Sequence, residues 1–289
     1  MMSLTGTAVI APRDREFSFE EADFIALRDL VREVTGISLT DAKRELVYGR
    51  IARRLRVLGL GSFAAYRELL RSDTGGELVE FCNAMTTNLT AFFREGHHFE
   101  ALREVLLLPR VADAHASRRL RLWCAGCSSG EEPYSLAMTL CEAIPDWKRW
   151  DIRILATDID SQILATAARG VYPQDRIKGL SPQRLRSFFT ELEGERGPLY
   201  QVSPELAGLI TFKQLNLMDP LPMSGPLDAI FCRNVIIYFD KETQRNLFAR
   251  IAPLQRPGDL LFLGHSESLF KVSDAYALLG RTAYRRIAA

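Results

Sequence analysis

Residues 120–137, LRLWCAGCSSGEEPYSLA, constrain the fold more than any other stretch. Leu120, Leu122, Trp123 and Cys124 read as a short apolar strand, Gly126 to Gly130 as a turn, and the residues after it as a helix. Glycine carries no Cβ, so backbone there can approach a ligand closely. The free N–H groups of the following helix point into the same turn, which suits an anionic group. The next apolar strand, Ile152 to Ala156, is followed by an acid, Asp158. Strand, glycine turn, helix, strand and acid together are the layout of a nucleotide or cofactor pocket in a doubly wound sheet.

From Leu120 onward the chain alternates strand and helix. Strands are expected at 120–125, 152–157, 210–215, 227–232 and 259–264, helices at about 131–143, 161–169 and 241–252, and a closing hairpin from 276–279 and 282–287. Such alternation implies a mostly parallel sheet covered by helices on both faces. Between Gly170 and Leu209 the alternation breaks around a helical piece at 181–189, a turn at 193–197 and a short strand at 199–202, which predicts a small inserted subdomain.

Before Leu120 the pattern is helical. Residues 1–16 read as a loose tail. Ser18 and Glu21 have capping-box spacing ahead of a stripe of Phe24, Leu27, Val31 and Val34, and Gly36 stops it. Thr40 opens a second helix that ends at Gly59, Ser62 a third through Leu70, and Gly75 and Gly76 precede a fourth with Leu78, Phe81 and Met85. Lys43, Arg50, Arg53 and Arg54 gather on one side of the second helix, where Glu45 is the sole acid between Asp41 and Glu68. That side is either a solvated polar face or a docking face for an acidic partner. Residues 86–99, TTNLTAFFREGHHF, form a hinge, followed by a helix from about Gly96 to Leu108 that Pro109 ends. Adjacent His97 and His98 are expected on different faces of it, so no shared metal is expected.

Composition narrows the classes. A formal net charge of +1 gives no global field for nucleic acid. No apolar run approaches the roughly 20 residues that cross a bilayer, and residues 1–16 lack the pattern of a signal peptide. Five cysteines without framework spacing suggest reduced thiols and a cytoplasmic protein. Cys124 and Cys127 have C-x-x-C spacing without a second pair, so they read as small buried residues beside a tight turn.

Two chemistries compete for the glycine turn. Gly126, Ser128 and Gly130 match a G-x-S-x-G nucleophile elbow, and Ser128, Asp228 and His265 stand in the order of a triad. That elbow, however, follows several strands in its own fold, whereas here only helices precede it. The alternative is a cofactor pocket. The spacing departs from G-x-G-x-x-G, and Asp158 lies further downstream than in a dinucleotide site. A ligand with a ribose but no phosphates relaxes both requirements, and S-adenosylmethionine is such a ligand. Asp158 could hold ribose hydroxyls there, with Asp160 and Ser161 left to cap the next helix. Glu132, three residues after Ser129, could form a capping box.

At these residues the chain resembles the chemotaxis receptor methyltransferases, the CheR family. The likeness runs from Phe17 to Ile287 and is carried by TTNLTAFFRE (86–95), AGCSSGEEPYSLA (125–137), ATDID (156–160), FCRNVIIYFD (231–240) and GHSES (264–268). It implies an α/β, class I methyltransferase fold, Rossmann-like with a doubly wound, mostly parallel sheet. An all-α N-terminal domain and a small inserted β-subdomain accompany it. The implied division is a tail at 1–16, a receptor-docking helical domain at 17–88, a hinge and linker helix at 89–119, and a catalytic domain at 120–289 with its insertion at about 171–209.

The implied reaction moves a methyl group from S-adenosylmethionine to glutamate side chains on the cytoplasmic helices of chemoreceptors, giving methyl esters and S-adenosylhomocysteine. The implied cofactor residues are Asn88, Thr90, Arg94, Glu132, Asp158, Asn216, Leu217, Arg233 and Asn234, with Arg94 and Tyr238 near the transferred methyl. The implied docking residues are Lys43, Arg50, Arg53 and Arg54, and no metal is implied. Some family members grip a C-terminal receptor peptide through a Gly-x-Gly loop in the insertion. Here Leu192-Glu193-Gly194-Glu195 has one glycine and added acids, so no such tether is expected. The expected protein is a monomer that neither binds nucleic acid nor inserts in a membrane. A non-catalytic cofactor sensor with the same pocket is the remaining alternative.

Overall fold

The computed structural model describes residues 15–72 and 76–288, so most of the expected tail and Gly75 lie outside the described residues. Arg15 and Glu16, read as the end of that tail, are tied to the second helix through Glu45 and Arg56.

Four helices come first: α1 (Glu21–Thr35), α2 (Arg44–Leu58), α3 (Phe63–Ser72) and α4 (Glu77–Met85). The apolar stripe sets their packing, with Phe24, Leu27, Val31, Val47, Ile51 and Leu55 wholly buried. The capping box of α1 is made by Glu20 and Asp23, not by Ser18 and Glu21 as the spacing suggested. Glu20 takes the same reciprocal geometry, its carboxylate accepting from the N3 backbone.

After the hinge, α5 (His97–Leu102) does not stop at Pro109. It passes through a π-helical stretch, 103–107, into α6 (Leu108–Ala112), with the proline in the first turn of α6. The register shift puts the missing proline N–H where a new helical segment needs no donor, so the chain continues in helical form.

The α/β half then follows as β1 (Arg119–Ala125), α7 (Glu131–Ala143), β2 (Asp151–Asp158) and α8 (Ser161–Arg169). The insertion comprises β3 (Val171–Pro173), α9 (Gln174–Ile177), α10 (Pro182–Phe188), β4 (Phe189–Leu192), β5 (Leu199–Val202) and α11 (Pro204–Ala207). The main sheet resumes with β6 (Ile210–Gln214), β7 (Ala229–Cys232), α12 (Lys241–Ile251), β8 (Leu260–Leu263) and the hairpin β9 (Tyr276–Gly280) and β10 (Ala283–Arg286). Its order is β6-β2-β1-β7-β8-β10-β9, and β3, β5 and β4 form a separate antiparallel sheet. β6, β2, β1, β7 and β8 run parallel, and β10 is antiparallel. Chain order reverses direction beside β1, which places a crevice at the carboxyl ends of β1, β2 and β7.

Side chains of the central strands alternate between two cores. Trp123, Ala125, Ile230, Cys232, Leu261 and Leu263 join α12 and the four N-terminal helices in one cluster. Leu120, Leu122, Cys124, Phe231 and Phe262 join α5 and α7 in the other. The helical region therefore shares a continuous core with one face of the sheet.

Asp228 anchors the end of the sheet away from the crevice. It is 1% exposed and accepts hydrogen bonds from Arg121 N (2.8 Å), Arg110 (3.0 Å) and Arg256 (3.1 Å). Removing one member of a buried ion pair leaves its partner uncompensated, so Asp228→Ala should cost about 3–5 kcal/mol in urea unfolding. An unchanged midpoint would contradict that role.

Candidate functional site

The glycine turn is shaped by what presses against it. Gly126 and Gly130 have φ of 81° and 97°, and a Cβ on Gly126 would stand 2.3 Å from Val235 Cγ2. Only a residue without a side chain fits this close approach. The N–H groups of Gly126 and Cys127 both donate to Thr157 O, and Ser128 N donates to Asp158 Oδ2 at 2.8 Å. Ser128 Oγ donates to Asn88 O at 3.1 Å, so turn, strand end and hinge are knitted together. From the insertion, Tyr172 Oη donates to Ser129 O, and Arg176 reaches Ser129 Oγ and Glu131.

The hinge itself is strained. Phe93 and Glu95 hold φ of 52° and 56°, which non-glycine residues adopt at a cost. Its aromatic residues lock into neighbouring elements: Phe92 packs edge-on against Tyr172 and Phe189, and the Arg184 guanidinium lies 3.7 Å over the Phe93 ring. Arg94 folds back to donate to Leu89 O at 2.8 Å rather than pairing with Glu95.

These elements line a cleft that opens to solvent. All ten residues expected at the cofactor or the transferred methyl line it: Asn88, Thr90, Arg94, Glu132, Asp158, Asn216, Leu217, Arg233, Asn234 and Tyr238. Asn88 donates to Asp160 Oδ2 at 2.7 Å, and Asn216 donates to Val34 O at 2.7 Å, so α1 also borders the cleft. Asp160, as expected, caps α8, accepting from Gln162 N and Ile163 N. Burial raises the Asp158 carboxyl above its usual value, against the pull of backbone N–H groups at 160 and 128.

The floor is electrostatic. The side chain of Arg233 is fully buried. Its Nη1 donates to Glu132 Oε2 at 2.7 Å, its Nη2 donates to Arg94 O at 2.5 Å, and Glu95 Oε2 lies 3.4 Å from it. Glu132 accepts from Arg233 and from the Cys124 thiol, one bond on each oxygen, and makes no capping box with Ser129.

A second carboxylate shapes the wall. Glu267, 4% exposed, accepts from Asn234 N (2.8 Å), Gly264 N (2.6 Å) and Ile237 N (3.2 Å). It fixes the segment that holds Asn234 at φ 60° and presents Tyr238. Burial raises its carboxyl, opposed by the same N–H groups. The sequence offered GHSES as a run but gave no sign of this role, since two of the three donors, Asn234 N and Ile237 N, come from one distant segment and only Gly264 N is local.

The four cations expected on the second helix separate, with Lys43 in a 3-10 turn (Asp41–Lys43) just before α2. Lys43 and Arg53 are exposed. Arg54 is 18% exposed and makes two bonds to Glu77 with a third contact to Glu80, so its charge is largely matched within the fold. Arg50 donates to Met85 O and Thr87 Oγ1 at the rim of the cleft. Burial lowers its guanidinium, and Tyr238 lies close enough to oppose that shift.

The competing triad is not formed, and one expectation is corrected. Ser128, Asp228 and His265 make no triad: Ser128 Oγ is bonded to Asn88 O, Asp228 to arginines, and His265 Nδ1 to Glu95 at 3.0 Å. His97 and His98 do not diverge; their rings lie 4.2 Å apart and both Nε2 atoms meet Arg281 O. Both stand in the first turn of α5, where successive Cα–Cβ directions differ by about 100° but side-chain torsions turn both rings to the one carbonyl. Cys124 and Cys127 are buried and their thiols are raised well above the ordinary value, which makes them poor nucleophiles.

Comparison with known proteins gives a concordant result. The profile described as "CheR methyltransferase, SAM binding domain" matches residues 88–285, and "CheR methyltransferase, all-alpha domain" matches 22–86. The chain is 42% identical to the chemotaxis protein methyltransferase of Escherichia coli, over 96% of this chain and 95% of that one. It is 44% identical to chemotaxis protein methyltransferase 2 of Pseudomonas aeruginosa, over 94% and 95%.

Glu267→Ala leaves three backbone donors without their acceptor. Thermal unfolding should show a loss of about 1–3 kcal/mol; a variant as stable as the parent would mean that the clamp contributes nothing.

Proposed function

The chain belongs to the CheR methyltransferase family, and from that premise we propose that it methylates glutamate side chains on the cytoplasmic helices of chemoreceptors, with Asp158, Glu132 and their neighbours holding the cofactor. It is an S-adenosylmethionine-dependent methyltransferase with the class I fold. The observation that carries the residue assignment is the convergence of the ten expected residues on one cleft at the reversal point of the sheet.

The donor set suits S-adenosylmethionine. Asp158 and Glu132 offer acceptors for hydroxyl and ammonium groups, Arg94 can meet a carboxylate, and Leu215, Leu217, Ile159 and Ile37 provide apolar surface for a heterocycle. When bound, the cofactor supplies a methyl group already activated on a sulfonium. A substrate carboxylate, with an ordinary pKa of about 4.3, arrives ionised near neutrality. No general base is required, and the chain's contribution is to align oxygen, carbon and sulfur. Tyr238, half-buried at the cleft and free to use its hydroxyl, is placed to steer the incoming carboxylate. Arg94 cannot release a proton in practice and acts as an orienting cation.

Docking rests on α2. Lys43 just before it and Arg53 within it are exposed, and Arg50 reaches the cleft rim, so an acidic receptor helix lying on this face would bring its carboxylates to Tyr238. Arg54 takes part more weakly because Glu77 already neutralises it. No helix among the described residues is long and apolar enough to cross a membrane. The protein acts in the cytoplasm as a monomer, and without a peptide tether, since the hairpin between β4 and β5 carries Glu193 and Glu195. Transfer of radiolabelled methyl from S-adenosylmethionine to receptor separates this reading from a cofactor sensor, which would bind S-adenosylhomocysteine and label nothing.

Two outcomes follow. Asp158→Ala should weaken S-adenosylhomocysteine binding in calorimetry by roughly ten- to a hundredfold, whereas Tyr238→Phe should keep that affinity and lose roughly tenfold or more in kcat. The reverse pattern would exchange their roles. The pair Lys43→Glu and Arg53→Glu should leave cofactor affinity intact while receptor methylation falls and becomes less sensitive to salt. Methylation at the parental rate would remove the docking assignment.

A further inference from the structure

Three of the chain's four histidines collect around Glu95. His98 is wholly buried, and its Nε2 donates to Arg281 O at 2.8 Å, which leaves Nδ1 as the bare lone pair. That Nδ1 faces Glu95 Oε2 at 3.6 Å, and neither atom has a hydrogen-bond partner. His97 Nε2 lies 3.2 Å from the same carbonyl oxygen. One donor atom from each of Glu95, His97 and His98 falls within 4.8 Å of the others. His265 Nδ1 stands 3.0 Å from Glu95 Oε1, on a side chain 65% exposed.

We propose that Glu95, His97 and His98, with His265 at the solvent side, bind a divalent transition-metal ion such as Zn²⁺. Arg233 Nη2, 3.4 Å from Glu95 Oε2, faces that carboxylate from one side, but His98 Nδ1 keeps a bare lone pair in a buried site, and a positive centre between it and the carboxylate would satisfy it. An imidazole held by its far nitrogen on a backbone carbonyl is the usual support of a metal-ligating histidine. Two imidazoles and a carboxylate suit zinc, cobalt or nickel rather than magnesium or calcium. Donors around a tetrahedral zinc ion lie about 3.3 Å apart, from bond lengths of about 2.0 Å, so the group need only contract, and half-buried His97 is free to move inward. The local charge favours a cation, since Glu95 and Glu132 face one guanidinium, Arg233. An ion bound to Glu95 would also draw that carboxylate away from Arg233, which holds Arg94 O and Glu132. The site would therefore be coupled to the cleft without being part of it.

The test uses the full chain, stripped of metal and titrated with Zn²⁺ against a chromophoric chelator, with circular dichroism to establish that each variant is folded. One equivalent should bind. His97→Ala and Glu95→Gln should each weaken binding by roughly tenfold or more, while His115→Ala and Cys141→Ser leave it unchanged. Co²⁺ in place of Zn²⁺ should give ligand-field bands without thiolate charge transfer. Absence of binding, binding that survives both His97→Ala and Glu95→Gln, or binding lost with Cys141→Ser would overturn the proposal. None of these readouts depends on methyl transfer.

Discussion

A single buried cation, Arg233, holds the cleft together. Its guanidinium is shielded from water and spends its charge on Glu132 at the start of α7, on Glu95 in the hinge and on the carbonyl of Arg94. Burying a charge costs several kcal/mol unless its partners are well placed. Here the partners come from two segments that are far apart in sequence, α7 and the hinge, so the two Nη atoms of Arg233 are engaged only when β7, α7 and the hinge have all docked, while its Nε keeps no partner. The cost of burial thus becomes a specification of geometry: wherever both Nη atoms of Arg233 are engaged, Arg94 and Glu132 stand where the cleft requires them.

The rest of the cleft follows the same logic of strained backbone held from outside. Gly126 lets Val235 close against the turn, Ser128, Asn234, Phe93 and Glu95 adopt left-handed backbone, and Asp158 and Glu267 receive the N–H groups that such turns expose. Side chains that ligate backbone are rigid, and rigidity is what an alignment-driven reaction needs. The helical region adds a rim to this frame rather than a separate body, since α1–α4 share one hydrophobic cluster with the sheet and Arg50 ties α2 to the hinge.

Much of this was legible in the sequence because period and punctuation carry it. The central strands bury both faces, so they appear as short apolar runs, and β1, β2, β6, β7 and β8 fall within a residue or two of the expected spans. Helices α7, α8 and α12 were visible from their caps and stripes. What escaped was decided by tertiary contact. β3, β4, α9 and α11 are three or four residues long and carry no period. Pro109 reads as a stop, yet the π-turn before it absorbs the lost bond. The basic face of α2 looked uniform, and only the fold shows Glu77 removing Arg54 from it. The cleft residues were found through motif resemblance, whereas the clamp by Glu267 and the histidines converging on Arg281 depend on contacts between distant segments.

The account centres on an adenosyl cofactor seated between the glycine turn and Asp158. The most direct measurement is a crystal structure of the chain grown with saturating S-adenosylhomocysteine. It should show the product in the cleft, with its ribose hydroxyls on Asp158 and Tyr238 open to solvent beside the sulfur. A cleft closed by its own side chains, with no adenosyl density at saturating concentration, would contradict it.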